Sequence, residues 1–138
     1  MNFFTMGYGG RTREGFLEVL RENGVKVAVD VRIEPHRAYR GYFAKAKSSD
    51  KGIEGLLARA GIRYRSFVKL GNPYRDEDDW QTLYRQYLET LDTAWIEELR
   101  RLEENFCLLC AEKDFERCHR KIITEHLVKV GFMLVKHL

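Results

Sequence analysis

Two runs of the chain leave it little choice of fold. Val25-Lys26-Val27-Ala28-Val29-Asp30-Val31 is nearly all apolar and rich in β-branched residues, and Phe106-Cys107-Leu108-Leu109-Cys110 is apolar throughout. Neither alternates polar with apolar, so each reads as a strand buried on both faces. A sheet with such strands needs a layer of helices above and below it, which crossover connections between parallel strands supply.

The intervening segments carry those helices. Phe16, Val19 and Leu20 share one helical face that ends at Asn23-Gly24, a standard helix stop. Ile53, Leu56, Leu57 and Ala60 do the same over residues 52–60, ending at Gly61. Trp80, Leu83, Tyr84, Tyr87, Leu88 and Leu91 recur at helical spacing, as do Trp95, Ile96, Leu99 and Leu102, and these stripes read as core. A last helix face comprises Ile122, Ile123, His126, Leu127 and Val130. Three more strands are expected at residues 3–6, 62–67 and 132–135, while residues 32–50 look irregular. The expectation is a single α/β domain over 1–138, Rossmann-like, with an open, mostly parallel sheet of about five strands flanked by helices.

Composition bears on partners and location. At 138 residues, 44% hydrophobic and 33% charged, the chain is large and apolar enough for one core. A net charge of +3 permits an anionic partner without demanding one. No apolar run approaches the roughly 20 residues of a membrane span, and Met1-Asn2-Phe3-Phe4-Thr5 does not begin as a signal peptide does. Three cysteines is an odd count, and reduced thiols in the cytoplasm are expected. No membrane association is expected, and no cofactor can be named.

The unusual polar residues cluster after strands, where loops of an open parallel sheet converge on a ligand. Gly7-Tyr8-Gly9-Gly10-Arg11-Thr12 follows the first strand; it is half of a dinucleotide fingerprint and lacks the P-loop ending. Gly9 and Arg11 could hold an anion there, or the segment is a tight turn. Asp30 and Arg32 end the second strand: Asp30 could act as a general base, orient Arg32, or form an internal ion pair with it. Strand four leads into Cys110-Ala111-Glu112-Lys113-Asp114-Phe115-Glu116-Arg117-Cys118-His119-Arg120, the most informative stretch. Cys118, beside His119 and Arg120 and near a helix start, has the surroundings that lower a thiol pKa. It could be a nucleophile, a redox partner of Cys110, a metal ligand or a small buried side chain. Consecutive helical residues point about 100° apart, which argues against His119 as its base. The spacings of a metal site are missing, and no metal is expected. Cys107 reads as core, and His137 joins the site only if the last strand is parallel.

These motifs together resemble one family. Thr5-x-Gly7-Tyr8-Gly9-x-Arg11, Asp30-Val31-Arg32-x-x-Pro35, Gly61-Ile62-x-Tyr64, Gly71, Leu109-Cys110-Ala111-Glu112, Cys118-His119-Arg120 and Val135-x-His137-Leu138 look like the domain-of-unknown-function 488 family. The resemblance covers nearly the whole chain and implies a small α/β domain with no assigned reaction. It departs after Pro35, where relatives usually carry Ser-Arg-x-Pro and this chain has His36-Arg37-Ala38-Tyr39-Arg40-Gly41-Tyr42.

Two functional readings follow. The first is an enzyme acting on a phosphate-bearing substrate, a nucleotide or nucleic-acid component. Its anion would be held by Arg11, Arg32 and Arg120 with help from Gly9, Cys110 and His119, with Asp30 or Glu112 as acid/base and Cys118 as nucleophile. The alternative is a non-catalytic nucleic-acid-binding module using segment 32–47, where basic residues interleave with Tyr39, Tyr42 and Phe43. A thiol redox switch between Cys110 and Cys118 is a third option.

Overall fold

The computed structural model describes residues 1–138. Ten elements alternate as expected: β1 (Asn2–Gly7), α1 (Arg13–Glu22), β2 (Val27–Asp30), α2 (Gly52–Ala58), β3 (Arg63–Ser66), α3 (Trp80–Thr90), α4 (Ala94–Arg100), β4 (Phe106–Cys110), α5 (Arg120–Lys129) and β5 (Met133–His137). The strands form one open sheet in the order β3-β2-β4-β1-β5, and every pairing is parallel. The sheet is therefore wholly rather than mostly parallel. No helix is long and apolar enough to cross a membrane.

Alternation along the strands divides the core in two. Phe4 and Met6 of β1, Ala28 of β2, and Cys107 and Leu109 of β4 pack with Phe16 and Leu20 of α1 and Ile53 and Leu57 of α2. Phe3, Val27, Val29, Phe106, Leu108 and Cys110 face the other way. They pack against Tyr84 of α3, Trp95 and Leu99 of α4, and Ile123 and Leu127 of α5. The three central strands are thus covered on both sides, which is why their sequences are continuously apolar.

This division creates a crevice. From β1 the chain crosses by α1 to β2 and by α2 to β3, staying on one face. From β3 it returns by α3 and α4 to β4, then by α5 to β5, on the opposite face. Adjacent strands β1 and β4 therefore send their exits to opposite sides. That is a topological switch point, where open α/β sheets bind ligands.

Candidate active site

The exits of β1 and β4 are stitched together before they part. The Tyr8 N–H donates to the Cys110 carbonyl and the Gly9 N–H to the Ala111 carbonyl, each at 3.0 Å. So close an approach needs glycine: a Cβ on Gly7 would lie 1.8 Å from the Glu112 carbonyl oxygen. Beyond this seam opens a cleft of about 710 Å³ with Cys110, Cys118 and His119 on its wall. Arg32, Arg37, Arg75, Lys113 and Arg117 line it too, against Glu34, Asp76 and Glu112.

The Cys110 and Cys118 sulfurs lie 2.7 Å apart, and both thiols are free. Between them sits Arg120, only 1% exposed. Its Nε donates to Cys110 Sγ at 3.0 Å and to Cys118 Sγ at 3.3 Å. Nη1 donates to Thr5 Oγ1 at 3.0 Å and Nη2 to the Glu112 carbonyl at 2.8 Å. Two sulfurs, a hydroxyl and a carbonyl are these acceptors, and none is a carboxylate. A buried guanidinium demands a counter-charge, and here only a thiolate can supply it.

Cys118 is the sulfur placed to carry that charge. Burial alone would raise its pKa, but the hydrogen bond from Cys110, His119 and the Arg120 charge outweigh it and hold the thiol well below the ordinary range. The Arg120 backbone N–H adds a fourth donor at 3.5 Å. Burial, and after it the Cys118 sulfur alongside, push Cys110 the other way. Cys107, on the far face of β4, is pushed up to about 12 by burial and is core, as expected.

His119 corrects the expectation drawn from helical geometry. Cys118 is extended, at φ −113° and ψ 143°, and α5 begins only at Arg120. The 100° rule therefore does not apply, and His119 Nδ1 comes within 3.7 Å of Cys118 Sγ. Nε2 lies 2.7 Å from the Val31 carbonyl, which only accepts, so Nε2 carries a proton. Nδ1 is left facing the sulfur, placed to take or return its proton.

Residues 12–127 match the family described as Domain of unknown function DUF488. The chain belongs to the DUF488 family. No curated protein and no solved structure matches it. The matched span of this DUF488 chain holds Asp30, Arg32 and the whole Cys110–Arg120 stretch, while Thr5, Gly7, Gly9 and His137 lie outside it.

The other anticipated residues are distributed unevenly. Asp30 is fully buried and not part of the cleft lining. It accepts from the Arg32 backbone N–H at 3.0 Å, Arg32 Nε at 2.8 Å, Arg32 Nη2 at 2.6 Å and the Tyr64 hydroxyl at 2.5 Å. Of the roles open to Asp30, orienting Arg32 is the one these contacts serve; a general base would need a lone pair facing substrate. Arg32 does line the cleft, with Nη1 donating to the Tyr8 hydroxyl and the Phe43 carbonyl. Arg11 lies apart, its Nη2 donating to the Leu138 carbonyl at 2.7 Å in a neighbouring depression. The three arginines expected to converge on one anion thus donate in three directions: Arg120 to the sulfurs, Arg11 to the Leu138 carbonyl, and Arg32 to Asp30, Tyr8 and Phe43 behind the cleft wall. Gly9 and Glu112 line the cleft, with the Glu112 carboxylate accepting from the Asp114 N–H.

β5 is parallel, and His137 reaches the site at one remove. Its Nδ1 pairs with Thr5 Oγ1 at 2.8 Å, the same oxygen that accepts from Arg120, and its ring packs tilted against Phe115, centroids 3.5 Å apart. Thr5 opens the motif that runs to Arg11 but carries no sign of a site role there, and Phe115 had no signal in the sequence; both are given their place by the fold.

Proposed function

We propose that this protein is an enzyme that uses the Cys118 thiolate as nucleophile on a small phosphate-bearing substrate held in the strand-end cleft. The observation that carries the reading is Arg120, buried without a carboxylate and donating to both sulfurs on the cleft wall. A thiolate so held is nucleophilic at neutral pH. His119 Nδ1, 3.7 Å from Sγ, is placed to pass a proton to the leaving group. Attack forms a bond from Sγ to the electrophilic atom and breaks the bond to the leaving group, which takes up a proton through His119. Five basic side chains against three acidic ones around the cleft favour an anionic substrate, with Lys113 and Arg117 on the loop beside the two sulfurs. Cys110 and Arg120 are positioning groups in this reading, and Glu112 at the rim is the carboxylate available for acid/base work.

Alkylation by iodoacetamide below about pH 7, where an ordinary thiol of pKa about 8.5 is mostly protonated, tests the nucleophile. The expected result is one modification, at Cys118, that is slowed by inorganic phosphate and lost in Cys118→Ser. Alkylation that waits for the ordinary thiol range would sink the thiolate reading, and indifference to phosphate would remove the phosphate from it.

The nucleic-acid reading keeps one specific observation. A depression of about 740 Å³ adjoins the cleft, shares Tyr8, Gly9 and Gly10 with it, and includes Tyr39, Arg40 and Tyr42. Tyr39 is 96% exposed with the Arg40 guanidinium 5.4 Å over its ring. Phe43, by contrast, is buried against Tyr8 and Phe16, so the aromatic surface offered to a base is smaller than the sequence implied.

A further inference from the structure

We infer that Cys110 is the resolving thiol of a two-cysteine cycle, and that the electrophile attacked by Cys118 is the sulfur of a small anionic disulfide. The inference rests on Cys118 being the nucleophile, as proposed above, and adds what it attacks and how it is released.

The group nearest to any adduct on Cys118 is the Cys110 sulfur, 2.7 Å from Cys118 Sγ. That separation is shorter than two unbonded sulfurs keep, and closing it to the ~2.05 Å of a disulfide needs movement of well under one ångström. Cys110 ends a buried strand, while Cys118 sits on an extended residue just outside α5. The Cys118 backbone is tied to the Phe115 carbonyl and to the Lys121 N–H, so the closure falls to its side chain and breaks no helical hydrogen bond. Oxidation of both sulfurs takes the counter-charge from Arg120 and leaves it Thr5 Oγ1 and the Glu112 carbonyl as acceptors, a cost that favours re-reduction of the pair. The Glu112 carbonyl, 3.8 Å from Cys110 Sγ, also gives the Cys110 S–H an acceptor before it reacts. A core cysteine at this position needs none of these features. The cleft supplies the anion preference, through Lys113 and Arg117 on the same loop as the two sulfurs.

The cycle balances as thiol–disulfide exchange. The Cys118 Sγ thiolate attacks one sulfur of R–S–S–R′, forming a mixed disulfide and expelling R′S⁻, which takes up a proton through His119. Cys110 then attacks Cys118 Sγ, the mixed disulfide breaks, and RS⁻ leaves with the Cys110 proton. Two thiols are released, the substrate gains two electrons, and the protein is left with a Cys110–Cys118 disulfide. An external dithiol, small or protein-borne, returns the electrons.

Dithiobis(nitrobenzoate), a dianionic disulfide whose released thiolate is coloured, reads both steps in the intact chain. The wild-type protein should release two equivalents and end without an adduct, lighter by two hydrogens. Trypsin cuts after Lys113 and Arg117, so the oxidised protein should yield the Cys110 and Cys118 peptides joined, and dithiothreitol should separate them. This mapping needs no variant and so survives any folding defect. Cys110→Ser should release one equivalent and keep the adduct on Cys118, lost to added thiol roughly a hundredfold more slowly than the wild type resolves it. A stable adduct on the wild-type protein, or two equivalents with no joined peptides, would overturn the role of Cys110 and leave the nucleophile standing. A first step equally fast in Cys118→Ser would instead remove the nucleophile and with it this inference.

Discussion

Arg32 grips Asp30 end-on, with Nε 2.8 Å from Oδ1 and Nη2 2.6 Å from Oδ2, and both residues are buried. The pair ties the end of β2 to the cleft wall, because Arg32 Nη1 goes on to the Tyr8 hydroxyl of the β1 exit. Asp30 is thereby a structural anchor whose effect on the site runs through Arg32.

Replacing Asp30 with Asn should therefore cost stability more than chemistry. Breaking one partner of a buried pair leaves an uncompensated charge and costs about 3 kcal/mol or more. Urea unfolding should show that loss, while the rate of Cys118 alkylation in the folded protein stays within a few-fold of wild type. A stable Asp30→Asn protein with a dead thiol would put Asp30 back among the catalytic groups.

Gly7 should prove as sensitive as any core position. Its Cβ would meet the backbone oxygen of Glu112 at 1.8 Å, and that oxygen also accepts from Arg120 Nη2. Gly7→Ala must push the β4 exit away from β1, with an overpacking cost of about 3 kcal/mol. The loop so displaced carries Cys110, so the coloured-thiolate release should slow along with the fall in thermal midpoint. An alanine variant with wild-type melting would show that the two exits are not seated as described.

The fold was legible where local pattern decides it and hidden where long-range pairing does. Val27–Asp30 and Phe106–Cys110 announce themselves because both of their faces are buried. Nothing local says that Phe3 pairs with Phe106, a register set by which helices cover which face. The same divide runs through the site. The residue types at Cys110, Cys118, His119 and Arg120 stood out, but Arg120 could not be seen to turn inward, since side-chain direction follows from the start of α5 at Arg120. That helix start also explains His119, which the sequence reading set aside as a partner for Cys118 by placing both on one helix. Arg11 looked like an anion ligand because its partner, the Leu138 carbonyl, lies at the opposite end of the chain.

If the depression around Tyr39 takes single-stranded nucleic acid, labelled oligothymidylate should bind, with affinity falling linearly in log salt as counterions are released. Tyr39→Ala should then weaken binding roughly tenfold through lost stacking, and Arg40→Ala should reduce the salt slope. Neither substitution touches the buried sulfurs, so Cys118 alkylation should be unchanged in both. Salt-independent binding, or none at low salt, would eliminate this reading and leave the cleft enzyme alone.

The thiol pair should also write itself into the pH dependence of stability. Cys118 has a native pKa held below the ordinary thiol value, so between the two the unfolded chain binds a proton that the native protein does not. Stability therefore rises with pH across that window and is lost as pH falls through the native value. Cys110 has its pKa raised, so its contribution is complete below the ordinary thiol range and falls away above it. The two together give a rise through neutral pH and a decline above about 8.5. Cys118→Ser removes the rising limb. The unfolding free energy of wild type minus that of Cys118→Ser, in reducing buffer, should climb toward neutral pH with a slope of up to about 1.4 kcal/mol per pH unit. Asp30 and the other carboxylates are common to both proteins and cancel in the difference. A difference that stays flat from acid to neutral pH would mean that Cys118 is protonated in the native state, and Arg120 would then lack the counter-charge that its burial demands.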